Sequence, residues 1–169
     1  MNISGSKIKN ALQATQRRLE SQVRIFQHSL SYLEGEVAPV ALDDTMRLIQ
    51  KYETGVSRLQ TVQLEYNLAV KVDVLGVKMT LCQAIKSLGG ADRIAVLWDG
   101  ASKFEVEINR FRVSTTDKPL PKVLRTMSAE TACERSIDAD KWRNALRGAV
   151  AEGNTTSVMM PNVDPALFD

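Results

Sequence analysis

The chain has 169 residues, 44% of them hydrophobic and 25% charged, which is ordinary globular usage and fits one domain rather than a disordered or membrane-embedded chain. Lys and Arg number 22 against 20 Asp and Glu, a net charge of +2, too even for the dense basic face that binding to long nucleic acid requires. A single histidine excludes histidine-based metal cages and any triad that needs more than one imidazole.

Nine Gly and five Pro fall below the ~12% of average usage, so the elements should be long and the turns few. No run approaches the ~18 apolar residues of a membrane span, and Met1-Asn2-Ile3-Ser4-Gly5-Ser6-Lys7 holds no apolar signal region. Cys82 and Cys133 show no C-x-x-C spacing, and a reduced setting is the simpler reading, with one disulfide as the alternative. A cytoplasmic location without a membrane partner is therefore expected.

Ile8, Leu12, Leu19, Val23, Phe26, Leu30 and Leu33 recur at three- and four-residue steps. They predict a helix from near Ser6 to near Gly35. The stripe is narrow, as in a helical hairpin or coiled coil. Asp43 and Asp44 are suited to N-cap a second helix, whose stripe runs Leu48/Ile49, Tyr52, Val56, Leu59, Val62 and Tyr66. A short connection makes the two antiparallel neighbours. Gly55 costs about 1 kcal/mol in a helix interior and points to a close approach between them.

The period then changes to two. Val70, Val72 and Val74 alternate with Lys71 and Asp73, Leu75-Gly76 follows, and Val77 and Met79 flank Lys78. This predicts a short β-hairpin. Thr80 and Gln83 fit a capping box for a third helix running from Leu81 to about Trp98, with Asp99-Gly100 as its end. Residues 104–113 read as a bulged strand or as helix. The polar stretch 114–136, with Pro119 and Pro121 and one short helix around Lys122–Arg125, reads as a loop. Asp138 is suited to cap a last helix over Ala139–Glu152 closed by Gly153. Thr155–Met160 fits a short strand, and the tail after Pro161 reads as loose.

The expected fold is thus mainly α with a small β part: a long antiparallel helical hairpin, a short β-hairpin and further helices, forming an oligomeric helical assembly. It is one elongated domain over 1–169, divided into a helical hairpin (6–68), a β-hairpin plus helix and further strand (69–113), a loop (114–136) and a terminal helix and strand (137–160).

No phosphate-cradling glycine loop occurs, and neither cysteine sits in a motif that activates a thiol. His28 has only Arg24 and Tyr32 as helix neighbours, not the carboxylate a general base needs, and reads as a surface or interface histidine. No catalytic residue, metal ligand or cofactor is assigned, so the chain reads as no enzyme. The basic residues carry more. Arg17-Arg18 lies beside the apolar stripe, Lys71 and Lys78 sit on opposite arms of the β-hairpin, and Asn109-Arg110-Phe111-Arg112 interleaves arginine with an aromatic. Arginine grips phosphate bidentately and a ring can stack a base. Arg17, Arg18, Lys71, Lys78, Arg110, Phe111 and Arg112 are therefore the candidate ligand-binding residues, the alternative being solvated faces.

The order of parts, with Asn67, the alternating valines, Gly76 and Met79-Thr80-Leu81-Cys82-Gln83-Ala84-Ile85-Lys86, resembles the septicolysin-like family. Ile137-Asp138 to Gly153-Asn154-Thr155-Thr156 is similar to that family's terminal helix and strand. The likeness spans residues 5–160, departing at Gly89-Gly90 and at the proline-bearing stretch 114–136. The layout also resembles the phage Thoeris anti-defence sponge class, whose members oligomerise and sequester cyclic ADP-ribose-type signals without cleaving them. That likeness implies a viral, homo-oligomeric protein of the host cytoplasm that holds a small nucleotide-derived ligand between protomers with arginines and an aromatic ring. A structural protein docking through its helical hairpin on a protein partner is the alternative.

Overall fold

A computed structural model describes residues 1–34, 40–104, 125–161 and 163–168. It is mainly α with a small β part. The elements are strand β1 (Asn2–Ser4), helices α1 (Gly5–His28) and α2 (Leu42–Ala69), and strands β2 (Lys71–Val74) and β3 (Val77–Thr80). Helices α3 (Leu81–Ser102) and α4 (Ala129–Thr155), strand β4 (Ser157–Met159) and a 3-10 helix (Pro165–Phe168) follow.

Two helix pairs make the frame, α1 with α2 and α3 with α4. Both pairs are antiparallel: Gly5 lies against Tyr66 while Thr15 lies against Gly55, and Leu81 lies against Gly153 while Asp92 pairs with Arg147. Small residues, Ala84, Ala91 and Ala149, fill a core between α3, α4 and β2 around Val74 and Leu146. A second core joins the two pairs at one end, built from Ile3, Ile8, Val62, Tyr66, Val70, Leu81, Met160 and Val163. Each large apolar side chain buried there contributes roughly 1.5–3 kcal/mol.

The predicted β-hairpin and capping box are both present. β2 and β3 pair antiparallel with Lys71 opposite Thr80 and Asp73 opposite Lys78. Leu75 and Gly76 turn with positive φ, +53° and +87°, the signature of a primed two-residue turn, and Asp73 Oδ1 accepts the Gly76 N–H at 2.7 Å. Thr80 Oγ1 accepts the Gln83 N–H at 3.0 Å while Gln83 Oε1 accepts the Thr80 N–H at 2.8 Å.

Several boundaries differ from expectation. α1 stops at His28 rather than near Gly35, with the Ser29 N–H shared between the carbonyls of Ile25 and Phe26 in the last turn. α2 begins at Leu42 with Ala41 as a cap that lacks a side-chain bond, so Asp43 and Asp44 sit in the first turn, where the helix dipole favours carboxylates. α3 runs through Gly89-Gly90 and past Asp99-Gly100 to Ser102.

The largest correction concerns 129–136, which is helix rather than loop. Ser128, not Asp138, caps α4, its hydroxyl accepting the Thr131 N–H at 3.0 Å. Ala132 and Ser136 are buried; residues this small leave little hydropathy signal, so only packing reveals the face. β1 is unpredicted, and it pairs antiparallel with β4, Ile3 opposite Val158. The tail is not loose either: Val163 is buried in the joining core and Leu167 and Phe168 pack against it. The strand-or-helix reading of 104–113, the loop reading of 114–124 and the short helix up to 124 fall outside the described residues, save Phe104.

Candidate functional site

Where α1 and α2 run side by side, the 3-10 helix lies against both and a cleft of about 590 Å³ opens between the three. That volume is within the ~300–1,000 Å³ of small-molecule sites. Helical spacing places Thr15 and Arg18 on one face of α1, and Lys51, Tyr52, Gly55, Arg58 and Leu59 on the facing side of α2. The last segment adds Asp164, Ala166 and Leu167. Leu59 is fully buried and Tyr52 half-buried, giving the cleft an apolar floor, while Lys51 and Arg58 reach into solvent.

Neither Lys51 nor Arg58 makes an ion pair or hydrogen bond through its side chain among the described residues. Two cations one helical face apart, with Arg18 across from them, favour an anion at the cleft mouth. Gly55 lines the same cleft. A Cβ there would meet Thr15 Cγ2 at 3.4 Å, an ordinary contact, so close packing does not require the glycine. What the missing side chain keeps open is cleft volume.

A smaller cleft of about 260 Å³ adjoins it, sharing Thr15, Arg18 and Leu167 and adding Lys7, Asn10 and Phe168. The Lys7 ammonium stands 5.4 Å from the centre of the Phe168 ring, a cation–π distance. Leu167 lies between the two clefts.

Of the residues singled out in the sequence, Arg18 lines both clefts, whereas Arg17 is exposed and lines neither. Lys71 and Lys78 are exposed on the β2–β3 hairpin, in register with Thr80 and Asp73, and line neither cleft. Arg110, Phe111 and Arg112 fall outside the described residues. Lys51, Arg58 and Asp164 were missed. Lys51, Gly55 and Arg58 do share one helix face at four- and three-residue steps, a signal available in the sequence; Asp164 has none, since its place depends on how the tail packs.

His28 is exposed in the last turn of α1 and Cys82 stands in the first turn of α3; neither lines a cleft. No cluster of metal-ligating side chains occurs among the described residues, and no described helix is long and apolar enough to cross a membrane. No protein-family model matches the chain, and no curated protein or solved structure matches it.

Proposed function

We propose that this chain is a non-enzymatic binding protein that sequesters a small anionic, nucleotide-derived signal in the α1–α2 cleft and acts as a homo-oligomer in the cytoplasm, in the manner of the anti-defence sponges it resembles. The reading rests on the cleft, where Arg18, Lys51 and Arg58 stand around an apolar floor with the Tyr52 ring at its edge. Cations hold a phosphate, and a ring beside them suits a base. Oligomerisation is supported by the apolar stripe of α1: Leu12, Leu19, Val23 and Phe26 are partly rather than fully buried, leaving some apolar surface for another protomer to cover.

Melting the protein with cyclic ADP-ribose isomers and cyclic oligonucleotides tests the reading. A ligand at 100 times its Kd adds about 2.7 kcal/mol to native stability and must raise Tm. The double variant Lys51→Ala/Arg58→Ala should melt as wild type does and lose that rise. No rise with any of these ligands would sink the proposal, and light scattering showing only monomer would remove its oligomeric part.

A second reading, an assembly protein docking through its helical hairpin, is favoured by one observation. Near the α1–α2 connection Leu30, Tyr32 and Leu33 are 61%, 57% and 72% exposed. Under it, Leu33→Asp leaves the fold intact and abolishes co-purification of a protein partner identified by mass spectrometry, and small ligands do nothing.

A further inference from the structure

Among the described residues lining the larger cleft, Asp164 is the one acid beside three cations. It makes no ion pair among the described residues, so its charge is not cancelled by a protein partner there. A purely negative ligand would be repelled by it, and an anion site would do better without it.

The carboxylate is held in place from its own segment. Oδ1 accepts the Ala166 N–H at 3.0 Å, and the Asp164 carbonyl accepts the Leu167 N–H at 3.2 Å. Oδ2 has no protein donor among the described residues. An ionised carboxylate oxygen accepts and never donates, so in this cleft it suits a hydroxyl or amino group on whatever the cations hold.

We infer that Asp164 is the specificity-determining residue of the cleft: it accepts a hydrogen bond from a sugar hydroxyl or amino group of a ligand whose anionic group lies at Lys51 and Arg58. This rests on the anion-binding reading above and adds a requirement to it. The cleft selects ligands that carry a donor next to their phosphate and discriminates against bare polyanions.

Isothermal titration of wild type and Asp164→Asn with pyrophosphate and with ADP tests it. Asparagine keeps an oxygen for the Ala166 N–H and removes the charge, and an unchanged Tm checks that the segment still packs. Wild type should prefer ADP. In Asp164→Asn the affinity for ADP should fall roughly tenfold, the loss of one charge-assisted hydrogen bond. Pyrophosphate should bind roughly two- to threefold more tightly as repulsion is relieved. If wild type shows no preference, or the variant shifts both probes in one direction or neither, the role of Asp164 is overturned while the anion cleft stands. If neither probe binds wild type, the cleft reading fails and Asp164's role with it.

Discussion

The Tyr66 hydroxyl, fully buried at the end of α2, lies 2.6 Å from the carbonyl oxygen of Gly153 in the last turn of α4 and 2.6 Å from that of Thr156 just beyond it. Its single proton serves one acceptor at a time. The Gly153 carbonyl also accepts the Thr156 N–H at 3.3 Å, so the phenol adds a second donor at a helix end, where carbonyls lack intrahelical partners, and it ties the two helix pairs together. Tyr66→Phe keeps the ring and removes the bond. It should destabilise the protein by about 1–3 kcal/mol, read as a lower denaturant midpoint with an unchanged slope.

Glycines around this junction and glycines elsewhere should respond with opposite sign. A Cβ on Gly153 would stand 2.9 Å from Leu81 Cδ1 and Val72 Cγ1, and one on Gly5 would stand 2.8 Å from Tyr66 Cε1 and 3.2 Å from Asn154 Cα. Alanine at either position overpacks the joining core and should cost about 1–3 kcal/mol. Gly90 and Gly148 lie within helices with nothing near a Cβ, so alanine there should add up to about 1 kcal/mol. Thermal melts of the four variants check the division; a stabilised Gly153→Ala would contradict the packing.

Leu75 occupies the left-handed region, φ +53°, in the β2–β3 turn and is exposed. A branched residue there is strained by roughly 1–2 kcal/mol, and asparagine, which tolerates this conformation, is favoured in primed turns. Leu75→Asn should raise Tm by several degrees without affecting ligand binding.

The Arg147–Asp92 bridge, 2.7 Å long between half-exposed side chains on α4 and α3, contributes little. A double-mutant cycle with Arg147→Ala and Asp92→Ala should return a coupling of at most about 1 kcal/mol, shrinking as salt is raised. A salt-insensitive coupling of several kcal/mol would contradict this.

Gly55 links stability to the cleft. Gly55→Ala places a methyl at contact distance from Thr15 and should gain up to about 1 kcal/mol while lowering ligand affinity, because the methyl fills cleft volume. Paired melts and titrations with ADP would show the two effects moving in opposite directions; unchanged affinity would mean that the ligand does not reach the α2 floor.

What was legible in the residues alone was whatever short-range forces decide. Three- and four-residue periodicity gave away α1 and α2 as an antiparallel pair, alternation and Leu75-Gly76 marked the β-hairpin, and Thr80 with Gln83 marked the start of α3; each involves groups within a few residues of one another. Tertiary packing alone decided the rest. The first two turns of α4 depend on small side chains buried against other elements, the β1–β4 sheet joins residues 2–4 to 157–159, and the cleft brings Arg18, Lys51, Arg58 and Asp164 together from three separate segments. A binding site of this kind is a property of distance in space, and periodicity along the chain carries no record of which faces will meet.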